Sequence, residues 1–270
     1  MDGRDRLDGT EGLLVDIDGV LTLSWRAIDG AAAAVERITA AGVPLRYLTN
    51  TTSIARAEIV GRLGAAGIAV TTAEVFTAPV ATAAWIDAHH PGARCHLLSS
   101  GDLGDDLASL DLVAPEEPAD VVLLGGAGPE FSYDALNRAV GLLLDGAVLV
   151  AMHRNRYWRT DAGFSLDTGA FVAALETAAG VTATVVGKPS AEFFATAVAD
   201  LGVPAASVAM VGDDVENDVV AAQAQGLTGV LVQTGKYRPE AVDAADGTPD
   251  HVVPSFADLP DLLGLGDVRA

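Results

Sequence analysis

Two aspartates lie inside an apolar stretch near the start of the chain, which reads GLLVDIDGVLTL over residues 12–23. Asp16 and Asp18 are two positions apart and follow the hydrophobic run LLV. An ionised carboxylate that is removed from water is costly unless a positive group meets it. A turn is an alternative explanation for Asp18 and the glycine after it, but a turn explains Asp16 poorly. The sequence therefore predicts a positive partner for Asp16.

A second group of carboxylates lies in GDDVEND, residues 212–218, whose Gly212 is also the last residue of the apolar run SVAMVG. Asp213, Asp214 and Asp218 belong to this group. Several carboxylates gathered in one cleft repel one another unless a cation is present. Mg²⁺ is bound in proteins by one or two carboxylates together with waters and substrate phosphates. We therefore expect the two acidic segments to form a Mg²⁺ site.

Two further segments could bind phosphate. In LTNTTS, residues 48–53, the Thr49 hydroxyl and the backbone amides of Asn50 and Thr51 could donate to an anion at a helix start. A plain helix N-cap is the alternative for this segment. Lys188 follows the apolar run VVG and could contact a phosphoryl oxygen while offsetting nearby carboxylates. A surface lysine with a buried stem is the alternative there.

Other catalytic motifs are missing from the sequence. The five histidines are scattered without zinc-ligand spacing. No nucleophile elbow, Walker A loop or dinucleotide-binding glycine loop follows a predicted strand. A zinc protease, a serine hydrolase and a dinucleotide enzyme are therefore disfavoured.

The composition narrows the classes of partner. The chain has 270 residues, of which 50% are hydrophobic, and 16 basic against 37 acidic residues give a net charge of −21. Nucleic acid and anionic membrane both require a positive face, so neither is an expected partner. The single cysteine, Cys95, excludes an intramolecular disulfide, and no signal peptide or membrane-length apolar run is present. We expect a soluble cytoplasmic protein.

Short apolar runs alternate with alanine-rich segments of helical pattern, which predicts an α/β protein with a mostly parallel sheet. In such sheets, ligands bind beyond the carboxyl ends of the strands, where the polar residues above are expected to lie. The predicted strands are residues 13–17, 44–49, 120–125, 147–152, 183–187, 207–212 and 229–234, and the predicted helices are residues 31–42, 54–67, 134–146 and 191–202.

Four motifs in a fixed order resemble those of the haloacid dehalogenase-like (HAD) hydrolase superfamily. They are DIDGV (16–20), LTN (48–50), GKP (187–189) and GDDVEND (212–218). The segment between the second and third motifs is similar to the α/β cap of the class IIA, NagD-type branch. The resemblance implies a three-layer Rossmann-like core with a parallel sheet and an inserted α/β cap of C2 type. It implies core segments 1–78 and 182–270 around a cap of residues 79–181.

The resemblance also implies an activity, that of a phosphatase acting on a small phosphorylated metabolite: a phosphate monoester, a pyrophosphate or a phosphoramidate. Asp16 would form an aspartyl phosphate, and Asp18 would act as the general acid and base. The resemblance assigns the remaining roles as follows: Mg²⁺ held by Asp16, the backbone carbonyl of Asp18 and Asp213, with Asp218 in support, and the phosphoryl group held by Thr49, Asn50, Thr51 and Lys188.

The predicted cap departs from the family pattern at AMHRNRYWRTDAG, residues 151–163, where many relatives carry Asn-x-Asp. We expect His153, Arg156 and Arg159 to contact an anionic or aromatic part of the substrate. An exposed loop and a contact between the caps of two copies are the alternatives. Since some relatives pair through the cap, a homodimer is also an expectation.

Three other functions compete with the phosphatase. A phosphotransferase or mutase could pass the same aspartyl phosphate to an acceptor other than water. A phospho-signalling receiver also uses Asp, Thr, Lys and Mg²⁺, but the inserted segment 79–181 and the second carboxylate at Asp18 argue against it. A non-catalytic phosphate-binding protein on the same fold is the third.

Overall fold

A computed structural model describes the backbone of residues 6–160 and 163–265, with side chains at all these positions except 158–160 and 163–164. Strands and helices alternate through this part of the chain. The strands are β1 (Gly12–Asp16), β2 (Thr22–Leu23), β3 (Arg26–Ala27), β4 (Leu45–Thr49), β5 (Val75–Thr77), β6 (Arg94–Leu98), β7 (Asp111–Leu112), β8 (Val121–Leu124), β9 (Val148–Ala151), β10 (Tyr157–Thr160), β11 (Gly163–Leu166), β12 (Thr184–Val185), β13 (Val208–Gly212), β14 (Thr228–Val232) and β15 (His251–Val253). The helices are α1 (Ala31–Ala40), α2 (Arg56–Ala65), α3 (Ala78–His89), α4 (Tyr133–Leu144), α5 (Thr168–Ala179), α6 (Ala191–Leu201), α7 (Ala221–Gln223), α8 (Pro239–Ala244) and α9 (Leu259–Leu262).

The chain divides into two compact units. The first takes in the described residues of Met1–Thr49, Arg56–Phe76 and Phe194–Ala270, and the second those of Asn50–Ala55 and Thr77–Phe193. The domain boundaries expected from the sequence, at residues 78/79 and 181/182, stay a prediction.

The first unit contains a six-stranded sheet in the order β15-β14-β13-β1-β4-β5. Four of its pairings, β15–β14, β14–β13, β13–β1 and β1–β4, are parallel. β1 and β13 lie in the middle, and all their residues are buried, as expected for strands covered on both faces. The register pairs Asp16 with Leu48 and Gly212 with Leu231. The carboxyl ends of β1, β4, β13 and β14 therefore meet at one edge, called here the carboxylate edge.

The second unit contains a parallel five-stranded sheet in the order β12-β9-β8-β6-β7. Residues of β6, β8 and β9 pack with residues of α4 and α5 in one hydrophobic cluster, which includes Leu98, Val122, Leu149 and Leu175. β10 and β11 form a separate antiparallel pair. The second unit thus has its own core.

All seven predicted strands exist. β1 is as long as its apolar run but lies one residue earlier, and the other six are shorter than their runs. β6 is not predicted by the sequence, because Arg94 and His96 interrupt its apolar pattern. Short strands such as β5 and β15 are not predicted either, since they are below the length that a periodicity can reveal. Among the described residues, no helix combines the length and the apolar character needed to cross a membrane.

Candidate active site

Three buried aspartates converge at the carboxylate edge. Asp16 is the last residue of β1, Asp213 follows β13, and Asp218 lies in the π-helical turn Val215–Val220. One carboxylate oxygen from each lies within 4.8 Å of the others, and the residues are only 7%, 1% and 2% exposed. Three carboxylates this close repel strongly unless a cation lies among them. The donor set, oxygen atoms alone, fits a hard divalent cation.

The turn after β13 is built to bring Asp218 into this cluster. A Cβ atom on Gly212 would lie 2.7 Å from Oδ2 of Asp218, so a glycine is required for the close approach. Asp214, by contrast, lies outside the cluster and orders the turn. Its side chain accepts hydrogen bonds from the backbone N–H of Asn217 at 3.0 Å and from the Asn217 side-chain amide at 2.9 Å.

Asp18 is exposed and is not part of the buried cluster. Its Oδ1 accepts a hydrogen bond of 3.3 Å from the backbone N–H of Ser24. Ser24 and Trp25 form the two-residue turn between β2 and β3, and both have positive φ angles, 48° and 65°. Such angles are unfavourable for residues other than glycine, asparagine and aspartate. The guanidinium of Arg62, which lies 4.9 Å from the Trp25 ring centroid, stabilises this turn.

Thr49 ends β4 at the same edge as Asp16. Because the register pairs Asp16 with Leu48, Thr49 lies one position beyond Asp16 on the neighbouring strand. Its side chain is buried. This position is suited to a hydroxyl that donates to a phosphoryl group beside Asp16.

Asn50, Thr51 and Lys188 belong to the second unit. The Asn50 side chain makes two hydrogen bonds of 2.9 Å to the backbone of Lys188, donating to its carbonyl and accepting from its N–H. The Asn50 side chain therefore positions the segment that carries Lys188. Lys188 is 7% exposed, which is unusual for a lysine and argues against the alternative of a surface residue.

His153 is buried in the second unit. Its Nδ1 accepts from the backbone N–H of Asn155, so its Nε2 carries the proton and donates to the Thr52 hydroxyl at 3.1 Å. Burial lowers the pKa of His153, and the carboxylate of Asp167 opposes this shift. Both ring nitrogens thus make hydrogen bonds inside the second unit. This favours a structural role, in which His153 holds the segment after Thr49, over the predicted contact with substrate.

The arginines of the predicted cap segment differ from one another. Arg154 makes two hydrogen bonds to Glu176, at 2.9 and 2.5 Å, and its guanidinium lowers the pKa of that carboxyl group. Arg156 is exposed. Arg159 lies in β10, and its side chain is outside the described part of the structure. The predicted substrate contacts of Arg156 and Arg159 stay predictions.

Lys236 lies beside the buried aspartates, although the sequence motifs did not predict it as a site residue. Its backbone N–H donates to Oδ2 of Asp213 at 2.7 Å, and its Nζ lies 3.8 Å from Oδ2 of Asp214. Desolvation lowers the pKa of Lys236, but Asp213, Asp218, Asp16 and Asp214 together raise it above its ordinary value. The available signal was the sequence VLVQTGK, an apolar strand followed by small polar residues, like the strand ends recognised at Asp16 and Asp213.

The comparisons with known proteins identify the family. A model described as haloacid dehalogenase-like hydrolase matches residues 13–113, and one described as HAD-hydrolase-like matches residues 185–259. The phospholysine phosphohistidine inorganic pyrophosphate phosphatase of Bos taurus is 37% identical over 265 residues, which is 96% of each chain. The chain belongs to the haloacid dehalogenase-like hydrolase family.

Solved structures agree with this assignment. The 4-nitrophenylphosphatase of Thermotoga maritima has a TM-score of 0.88 and 27% identity, with 95% of this chain and 98% of that chain covered. NagD from E. coli K-12 has a TM-score of 0.84 and 27% identity, with 92% and 98% covered. The predicted family, its NagD-type branch and the fold class are confirmed, and within the family the chain is similar to the phospholysine phosphohistidine inorganic pyrophosphate phosphatases.

Proposed function

We propose that the protein is a Mg²⁺-dependent phosphatase that hydrolyses a small phosphorylated metabolite through an aspartyl phosphate. The observation that carries this proposal is the buried cluster of Asp16, Asp213 and Asp218 at the carboxylate edge. The family assignment and the phosphatase names of relatives such as those of Bos taurus and Thermotoga maritima support the reaction class.

Asp16, Asp213 and the backbone carbonyl of Asp18 would hold the Mg²⁺ ion, with Asp218 in support. When bound, the ion would supply positive charge that offsets the charge of the transferring phosphoryl group. The buried carboxylates support this assignment, because their mutual repulsion leaves them in need of a cation.

Asp16 and Asp18 would divide the chemistry between them. A carboxylate oxygen of Asp16 attacks phosphorus, the bond from phosphorus to the leaving group breaks, and Asp18 gives its proton to the leaving atom. Asp18 then takes a proton from water, and the water oxygen attacks phosphorus. The phosphorus–Asp16 bond breaks, and inorganic phosphate and free Asp16 are formed. The exposure of Asp18 and its attachment to the β2–β3 hairpin suit a group that meets both leaving group and water.

The phosphoryl group would be held by the Thr49 hydroxyl, the amides of Asn50 and Thr51, and the Lys188 ammonium. The burial of Thr49 and Lys188 supports these roles, because a buried hydroxyl and a buried ammonium favour an anionic ligand. The Asn50 side chain would act on the phosphate indirectly, through its two bonds to the Lys188 backbone.

The substrate would be a phosphate monoester, a pyrophosphate or a phosphoramidate. The 37% identity over 96% of both chains to a phospholysine phosphohistidine inorganic pyrophosphate phosphatase supports this range. In the cap, proposed as residues 79–181, Arg156 and Arg159 would contact the leaving group, and His153 would support them. A homodimer through the cap is part of the same proposal.

Hydrolysis of 4-nitrophenyl phosphate by the purified protein, with Mg²⁺ and with EDTA, tests the function. We expect turnover that requires Mg²⁺ and falls by a factor on the order of 10⁴ in Asp16→Asn. Glu216→Gln is the matched control, because Glu216 is exposed on the turn that carries Asp218. Turnover that survives in Asp16→Asn would exclude the covalent mechanism.

A further inference from the structure

The segment Thr234–Lys236, called here the clasp, follows β14 and reaches across the carboxylate edge. The backbone N–H of Lys236 donates to Oδ2 of Asp213 at 2.7 Å. The Thr234 hydroxyl donates to the carbonyl oxygen of Gly19. The clasp therefore joins two elements of the candidate metal site, the carboxylate of Asp213 and the turn after Asp18.

Gly235, between these two contacts, has no room for a side chain. Its φ angle is +59°, and a Cβ atom there would collide with the Asp213 carboxylate and lie 2.5 Å from Cα of Gly19. Gly19 also has no room for a side chain, since a Cβ atom placed on it would lie 2.5 Å from Cγ of Asp213. Two backbone segments, at Gly19 and at Gly235, thus approach the Asp213 carboxylate as closely as glycine allows.

The contacts leave Asp213 little freedom to rotate. One carboxylate oxygen accepts the Lys236 N–H, and two glycine backbones pack against the group. Fixing one oxygen of a carboxylate ligand directs the other, and such outer contacts tune the affinity of metal sites. The Asp18 carbonyl would be held in a similar way, because the turn that contains it is attached to Thr234 through Gly19.

We infer that the clasp positions the metal ligands, so that Thr234 and Gly235 set the Mg²⁺ affinity of the site without touching the ion. This inference rests on the proposed function, in which Asp213 and the Asp18 carbonyl are the ligands. The contact at Lys236 is made by the backbone, while its side chain is 67% exposed. Substitution of the Lys236 side chain therefore leaves the clasp in place, whereas substitution of Thr234 or Gly235 does not.

Titration calorimetry of the purified protein with MgCl₂ tests the inference without any substrate. In Gly235→Ala, we expect the Mg²⁺ dissociation constant to rise on the order of 10–100-fold. Gly226→Ala is the matched control, because Gly226 has a similar positive φ of +83° but no atom within 4 Å of its Cβ position. The control retains the backbone strain and lacks the collision, so its Mg²⁺ affinity should equal that of the wild type.

Thr234→Val gives an independent arm if Gly235→Ala does not fold. This substitution keeps the shape of the side chain and removes the hydroxyl that donates a hydrogen bond to the Gly19 carbonyl. We expect weaker Mg²⁺ binding in Thr234→Val, recovery in Thr234→Ser, and a kcat at saturating Mg²⁺ that changes less than the Mg²⁺ affinity.

The outcomes separate this inference from the proposed function. If the wild type binds Mg²⁺ and both Gly235→Ala and Thr234→Val bind it equally well, the clasp has no positioning role. If the wild type binds no Mg²⁺, the metal site of the proposed function is wrong, and the inference fails with it. If Mg²⁺ affinity falls as expected but no phosphate ester is hydrolysed, the clasp stands and the proposed function does not.

Discussion

The two units contain parallel sheets of similar construction whose strand ends carry different groups. In the first unit, β1 ends in Asp16 and β13 is followed by Asp213, and these two aspartates form a buried cluster with Asp218. In the second unit, β8 is followed by Gly125 and Gly126, and β9 by Met152 and His153. A Cβ on Gly126 would lie 2.8 Å from the Thr52 hydroxyl, so the small residues make room for the segment Asn50–Ala55.

This difference shows that similar parallel sheets can carry either neutral hydrogen-bonding groups or a cluster of carboxylates at their strand ends. At the strand ends of the second unit, hydrogen bonds are made by backbone groups and neutral side chains. An example is the pair of bonds between the Asn50 side chain and the Lys188 backbone. Those of the first unit gather like charges and leave them dependent on a cation. The sheet supplies positions in both cases, and the residues at the strand ends decide the chemistry.

The sharpest test of this contrast removes one carboxylate from each unit. Asp213→Asn should reduce turnover by a factor on the order of 10³, because a metal ligand is lost. In EDTA it should nevertheless raise the melting temperature, since it relieves repulsion with Asp16 and Asp218 while its side-chain oxygen still accepts the Lys236 N–H. Differential scanning calorimetry with EDTA and with Mg²⁺ measures both effects.

Asp167→Ala is the counterpart in the second unit. Asp167 caps α5 by accepting from the Thr168 N–H at 2.8 Å, so its loss should cost about 1 kcal/mol of stability. We expect a lower melting temperature in EDTA and in Mg²⁺ alike. If Asp213→Asn also lowers the melting temperature in EDTA, the carboxylate edge is not under electrostatic strain and the contrast between the units is wrong.

Much of the site could be predicted because its residues follow apolar runs. Asp16 after LLV and Asp213 after SVAMVG lie at strand ends that a hydrophobic pattern reveals. Parallel pairing then brings those ends to one edge, as the register of β1, β4 and β13 shows. The sequence therefore contained enough to predict the acidic cluster.

The contacts between segments could not be predicted. The role of the Asn50 side chain depends on Lys188, which is 138 positions away, and no local pattern reports that pairing. The clasp was also missed, because Gly235 can be understood only once its distance to Asp213 and Gly19 is known. Burial of His153 is a further case, since the residues that follow it, Arg154, Asn155 and Arg156, suggest an exposed loop.

The dependence of stability on pH is a second property by which the two units are expected to differ. Burial lowers the pKa values of His153 and His96, both in the second unit. The unfolded chain therefore binds more protons as the pH falls below about 6.5, and stability is lost in that range, at up to about 1.4 kcal/mol per pH unit for each histidine. His153→Gln should remove part of this slope when denaturant unfolding is measured between pH 7.5 and 5.

His89→Gln serves as the control for the pH experiment, because His89 is exposed on α3. The same exchange on the surface controls for the effect of the substitution itself. An unchanged slope in His153→Gln would mean that the imidazole is protonated in the folded state, contrary to its acceptor role at Nδ1 toward the Asn155 N–H.

The smallest expected effect concerns the charge of Lys236 at the carboxylate edge. Its ammonium is attracted by the same carboxylates that would bind Mg²⁺ and so competes with the ion. Lys236→Met should therefore tighten Mg²⁺ binding, by about 2–5-fold at low salt and less at high salt, as is usual for an exposed charge. Lys236→Arg keeps the charge and should bind Mg²⁺ like the wild type in the same calorimetric titration. Weaker binding in Lys236→Met would mean that the Lys236 side chain itself supports the site, in addition to its backbone N–H.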